Sequence, residues 1–218
     1  MNVWHETRGS GPDLVLLHGW GLSSDIWSDL ADRLAEHYRV TLIDLPGLGR
    51  SAPAGDMSLE PVVEALLDVA PESAHWVGWS LGGQLALALT ERAPERVISL
   101  SLISANPCFV ERNDWSCAMA PEVFGAFVES LADNETKTLQ RFAALQSRGS
   151  VTARDELKQL KAVIANAEPQ ALAPALRLLE SDLRPSLAGV SCPVQLILGA
   201  EDQLVPVELA SRVRELNP

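Results

Sequence analysis

Hydrophobic positions along the chain follow two different periods. Short apolar runs that end at glycine or proline read as buried strands: "LVLLHG" (14–19), "RVTLIDLPGLGRS" (39–51), "HWVGWS" (75–80) and "RVISLSLISA" (96–105). A fifth lies within "CPVQLILGAEDQLVP" (192–206), and the N-terminus supplies a further short strand around His5. Between these runs the apolar positions recur every three or four residues. "SDIWSDLADRLAEHY" (24–38) places Ile26, Trp27, Leu30 and Leu34 on one helical face. "SLEPVVEALLDVAP" (58–71) reads as a helix capped by Ser58 with a proline in its first turn. "LGGQLALALTERAP" (81–94) reads as another, stopping near Pro94. Continuous apolar strands alternating with helices predict an α/β fold, a mostly parallel sheet with helices on both faces.

One block breaks this rhythm. From about Asn106 to Arg184 there is no strand pattern, only helical ones: "PEVFGAFVESLAD", "ETKTLQRFAALQSR", "TARDELKQLKAVIANA" and "PQALAPALRLLES". Thr152 followed by Asp155 resembles a capping box. The expected organisation is therefore a core of residues 1–105, an inserted all-helical lid over 106–184, and the rest of the core over 185–218. No repeat and no low-complexity tract interrupts it.

Composition adds limits. The 218 residues suit one domain, and 47% hydrophobic with 21% charged content is ordinary for a globular protein. No signal peptide and no apolar run near the roughly 20 residues of a membrane span is visible. Cys108, Cys117 and Cys192 form an odd, scattered set without metal-like spacing, which fits a reducing, cytoplasmic setting. A net charge of −12 argues against nucleic acid. The charge is uneven, however. From Thr136 to Ala162 six basic residues (Lys137, Arg141, Arg148, Arg154, Lys158, Lys161) face two acids (Asp155, Glu156), a net +4 that leaves −16 elsewhere. Such an island reads either as a solvated helical face or as a surface for an acidic partner.

The chemistry starts at Gly78-Trp79-Ser80-Leu81-Gly82, a G-x-S-x-G run set between a predicted strand and a predicted helix. A turn this tight requires small flanking residues, and it lifts the Ser80 hydroxyl above the sheet edge at a helix N-terminus. Ser80 is the candidate nucleophile. Acyl transfer also needs two N–H groups aimed at the oxyanion; Leu81, after the nucleophile, and Trp20, in the loop after the early strand, are placed to supply them. Asp202, after the late strand, is the candidate acid, with Glu201 as the alternative. The base is the difficulty. His18 ends a buried strand and reads as structural; His75 precedes its strand at the opposite sheet end; His5 and His37 lie in the N-terminal strand and at a helix end.

LLHGWG, DLPGLGRS, GWSLGG and GAEDQLVP together resemble the α/β-hydrolase superfamily. The tryptophans of HGWG and GWSLGG, "SANPCF" (104–109) and "RFAALQSRG" (141–149) resemble, more narrowly, the BioH family of pimeloyl-[acyl-carrier protein] methyl ester carboxylesterases. The resemblance covers essentially the whole chain. It implies a cytoplasmic, monomeric enzyme without metal or organic cofactor, acting in biotin biosynthesis on an acyl-carrier protein that bears a pimeloyl methyl ester. By motif, Ser80 would be the nucleophile, Asp202 the triad acid, and Trp20 and Leu81 the oxyanion donors. Phe142, Ala143, Ala144, Leu145 and Gln146 would line the acyl channel, with Arg141 pointing elsewhere. Lys137, Arg141, Arg154 and Lys158 would meet the acidic carrier protein, each pair four apart on one helix.

The resemblance also implies a histidine after one further strand, followed by a closing helix, and the chain contains neither. It is read as a shortened version of a longer protein, or else as a naturally short relative unable to form the triad. Two function classes stay open: a serine esterase, including a general short-chain one, and a non-catalytic protein that binds an acyl carrier or ester.

Overall fold

A computed structural model describes residues 2–148, 151–166 and 170–218. Six strands, β1 (His5–Arg8), β2 (Asp13–Leu17), β3 (Arg39–Ile43), β4 (Ala74–Trp79), β5 (Val97–Ile103) and β6 (Val194–Ile197), form one sheet in the order β1-β3-β2-β4-β5-β6. Only β1 runs antiparallel, pairing with β3; all other neighbours are parallel. The parallel register requires crossovers, and helices α1 (Ser28–Leu34), α2 (Leu59–Val69) and α3 (Leu81–Arg92) supply them.

Side-chain alternation divides the core between the two faces. Leu14 and Leu16 of β2, with Val40 and Leu42 of β3, pack on Trp27 and Ala31 beside α1. Val15, Leu17 and Ile43 point the other way, into the larger cluster with α2 and α3. Helix α3 is buried from Leu81 through Thr90, which explains its apolar composition on every side.

Among the described residues, four helices fill the insertion that follows β5: α4 (Pro121–Asp133), α5 (Glu135–Gln146), α6 (Ala153–Asn166) and α7 (Leu172–Arg177), the last continued by one tighter turn to Glu180; a fifth, α8 (Arg184–Gly189), leads into β6. Between β5 and α4 the chain makes only isolated bridges, such as Cys108 with Asp182 and Val110 with Met119. Helices α8 (Arg184–Gly189) and α9 (Leu209–Leu216) flank β6. No helix among the described residues is long and apolar enough to cross a membrane. The three cysteines are free thiols, and burial pushes each one up from its ordinary pKa.

Several local expectations are corrected. Residues 24–38 do not form one helix: a tight turn over Ser24–Trp27 precedes α1, which ends at Leu34. Ser58 occupies the N-cap of α2, but its hydroxyl makes no capping bond; the Asp56 carboxylate instead accepts the Ser58 amide at 2.8 Å. At Thr152 the backbone carbonyl accepts the Asp155 amide at 2.9 Å, while the hydroxyl donates to Glu156 at 2.6 Å, one residue further along. His75 lies inside β4 and not before it. Gly149, Ala167 and Pro169, at the edges of the expected helical runs, lie outside the described residues.

Candidate active site

Ser80 sits at the sharp junction of β4 and α3 with φ 53° and ψ −115°. A non-glycine residue in this region is strained, and neighbouring atoms hold it there. Its amide donates to the Ile103 carbonyl at 2.9 Å and its carbonyl accepts the Gln84 amide at 3.1 Å. The glycines around it are required by contact. A Cβ at Gly78 would collide with the Gly82 carbonyl, and one at Gly82 would lie 2.5 Å from Leu17 O and 2.6 Å from His18 O. These approaches draw the start of α3 against the ends of β2 and β4.

The loop after β2 comes up beside the serine. An ideal Cβ on Gly19 would stand 3.6 Å from Ser80 Cβ. The next residue, Trp20, is fully buried, and its amide has no hydrogen-bond partner among the described residues. Leu81 opens α3, so its N–H is one of the four that a helix start leaves unpaired. Two free N–H groups therefore flank the serine, as an oxyanion site needs.

His18 and Asp44 fix this loop from below. His18 is wholly buried; Nδ1 donates to Gly19 O at 2.8 Å and Nε2 accepts the Leu45 amide at 2.9 Å. Burial holds its pKa below the ordinary value of 6.5, so the ring is neutral with both nitrogens engaged. Asp44 accepts from the Ser24 amide (2.7 Å), Ser24 Oγ (2.6 Å), and the Arg50 amide (2.8 Å) and Nε (2.7 Å). Burial alone would raise the Asp44 pKa, but these donors outweigh it and hold the carboxyl below its usual range. Arg50 in turn stacks on the Trp4 ring at 3.3 Å.

Asp202 follows β6 in a tight loop where its Oδ1 accepts the amides of Leu204 (2.8 Å) and Val205 (3.0 Å). Ser80, Asp202 and Trp20 line one cavity of about 560 Å³, together with Ser104, a second non-glycine residue at positive φ (42°). Glu201, the alternative acid, borders the same cavity from an exposed position. No histidine borders it. His75 bonds Ser99 Oγ at 2.7 Å, His5 lies against Val3 O at 3.2 Å, and His37 is exposed beyond α1.

A second, smaller cavity of about 140 Å³ also reaches Ser80. Its wall is apolar, built from Phe109, Met119, Phe127, Leu176 and Leu179 with Phe142 and Leu145 of α5. Phe142 borders both cavities and meets Trp20 edge-on at 5.2 Å. Of the five residues expected on the acyl channel, Phe142, Leu145 and Gln146 border a cavity. Ala143 is instead buried against Leu22, Leu160 and Val163, and Ala144 is exposed, because consecutive helical residues are about 100° apart. Arg141 is corrected as well. It borders the smaller cavity, since Leu145 stands one turn above it on the same side of α5.

The basic residues Lys137, Arg141, Arg148, Arg154, Lys158 and Lys161 are all exposed, and none forms an ion pair among the described residues. Arginines elsewhere are mostly neutralised, as in Arg39–Asp13 and Arg184–Asp114. Sequence reasoning missed Ser104 and the apolar wall. Phe109, Phe127 and Leu179 carry the same apolar signal as any core position, so periodicity alone could not have singled them out.

An alpha/beta hydrolase family profile matches residues 14–217, and the chain belongs to that family. It is 40% identical to a pimeloyl-[acyl-carrier protein] methyl ester esterase of Klebsiella pneumoniae (strain 342), across 100% of this chain and 86% of that protein. Two solved structures share its fold. An esterase from Exiguobacterium antarcticum superposes with a TM-score of 0.87 at 23% identity, over 98% of this chain and 82% of that one. A bromoperoxidase from Bacillus anthracis does so at 0.86 and 22% identity, over 99% and 84%.

Proposed function

We propose that the chain is a serine carboxylesterase fold for the methyl ester of pimeloyl-[acyl-carrier protein], the ester hydrolysed in biotin biosynthesis. The reading rests above all on Ser80, which is held at a strained strand–helix turn between two unpaired N–H groups and shares a cavity with Asp202. The likeness to the Klebsiella esterase supplies the substrate class.

In this reading Ser80 Oγ attacks the ester carbonyl carbon while a base takes its proton. The carbonyl oxygen becomes an anion held by the amides of Trp20 and Leu81. The C–O bond to the methoxy group then breaks, and methanol leaves with the proton. Water attacks the acyl-enzyme, releasing the free acid and restoring Ser80. Asp202 would orient and stabilise the imidazolium. The acyl chain would lie along Phe142, Leu145 and Gln146 beneath an inserted lid. Lys137, Arg141, Arg154 and Lys158 would meet the acidic carrier; their exposure, and the absence of ion pairs to them among the described residues, support that role.

The base is not among His5, His18, His37 and His75, so these 218 residues are expected to turn over slowly. A second reading, a non-catalytic binder of an acyl carrier or ester, is favoured by this one observation. An activated phosphonate separates the two. It should label Ser80 rapidly in a version extended past Pro218 by a strand and loop carrying histidine, and weakly in the 218-residue chain. An extended version that stays unlabelled would remove the esterase reading.

A further inference from the structure

The smaller cavity brings three kinds of chemistry to one wall. Ser80 borders it; the rest of its wall is apolar; and Arg141 is the charged side chain on its border. Arg141 is exposed and makes no ion pair among the described residues, and Val123, also on the cavity border, is 57% exposed. The cavity border therefore reaches the protein surface at residues of α4 and α5, one of them a guanidinium with no ion pair among the described residues. The larger cavity differs: Arg148, Glu201 and Asp202 all border it, so its charge is mixed.

We propose that the smaller cavity binds half-esters of medium-length aliphatic dicarboxylic acids as free acids, with Arg141 holding the distal carboxylate. The complementarity runs group by group. The ester carbonyl lies at Ser80 with its alkoxy side toward the larger cavity. The methylene chain lies against Phe127, Leu176 and Leu179, each buried methylene strengthening binding about fourfold. The distal carboxylate meets a planar guanidinium that can donate two parallel hydrogen bonds. Hydrolysis consumes one water and yields the dicarboxylic acid and the alcohol. The site is the one read above as an esterase centre, so the inference rests on that reading for turnover, but not for binding. Arg141 thus acts as a specificity determinant for a substrate that carries no carrier protein.

Binding is measured by calorimetry on the 218-residue chain with Ser80→Ala, which removes turnover. The probes are monomethyl pimelate and dimethyl pimelate, of equal chain length and differing in one charge. The monoester is expected to bind about tenfold tighter. Arg141→Gln should abolish that difference while leaving the diester affinity unchanged, and Arg141→Lys should restore part of it. A shorter half-ester, monomethyl succinate, should bind more weakly than the pimelate. Equal affinity for the two pimelate esters would overturn the inference, as would an Arg141→Gln loss shared by both. Phosphonate labelling of the unmutated serine tests the esterase reading separately, so selective binding without labelling would leave the cavity assignment standing and remove the hydrolytic one.

Discussion

The indole Nε1–H of Trp20 donates to the carbonyl oxygen of Leu172 at 2.9 Å, tying the loop beside Ser80 to the first residue of α7. The Trp20 ring also stands edge-on to Phe127 of α4 (5.4 Å) and Phe142 of α5 (5.2 Å). One side chain of the core thus contacts three of the four inserted helices. Trp20→Phe keeps most of the ring but removes a buried hydrogen bond to the start of α7, and should destabilise the fold by about 1 kcal/mol in urea unfolding. Hydrogen exchange should rise at α7 before it rises in the sheet.

The Asp44 carboxylate accepts five hydrogen bonds with no exposed side-chain surface, while its partner Arg50 is 38% exposed. Asp44→Ala leaves buried donors without an acceptor, though water can reach the arginine. A loss of about 3 kcal/mol is expected, the low end for a broken buried pair. The pH effect has a definite sign. Its folded pKa lies below the ordinary 3.8, so its contribution is present above that value and is lost as pH falls through the lower folded one. The acid limb of a stability–pH curve should flatten in Asp44→Asn.

His18 acts in a different window. The folded ring resists protonation because it is buried, whereas the unfolded ring takes a proton near pH 6.5. Below that pH the unfolded state binds more protons, so stability falls as pH drops, by up to ~1.4 kcal/mol per pH unit while only the unfolded ring is charged. Thermal melts between pH 7 and pH 5 should show the decline, and His18→Asn, less stable at pH 7, should show a shallower one.

The turn at Ser80 tolerates no added methyl. Gly82→Ala would press a Cβ onto the carbonyls of Leu17 and His18, which belong to the central strand and its end and cannot retreat. A cost of about 3 kcal/mol, the upper range for overpacking, is expected in denaturant titration. Gly55→Ala meets nothing within 4 Å and serves as the neutral control.

The exposed basic face offers a test of carrier docking. Reversing Lys137 and Arg154 to glutamate should slow hydrolysis of a carrier-bound methyl ester about tenfold or more and leave a small neutral ester unaffected. The assay belongs in a version of the protein that carries the base, at two salt concentrations, because a screened surface effect should shrink with salt. Equal losses on both esters would remove the docking role.

Much of this protein could be read along the chain. The sheet, its crossovers and the position of Ser80 follow from local rules, since a buried parallel strand needs apolar residues on both faces and a turn this tight needs glycine beside Ser80. The four inserted helices likewise announce themselves by period. His18 was legible as structural because a ring ending a buried strand must spend its nitrogens on hydrogen bonds. Other features depended on which faces meet. Ala143 and Phe142 are neighbours in sequence, yet one packs on α6 and the other opens onto Ser80, a distinction set by the rotation of α5 against the core. Arg141 borders an apolar cavity for the same reason. That Ser80 and Asp202, more than a hundred residues apart, border one cavity was only a matter of order until parallel strands brought both loops to one sheet edge. Periodicity is a local property of the chain, so it assigns elements and buried faces. Which buried residues line a void and which fill it depends on long-range packing, and that the tertiary structure alone decided.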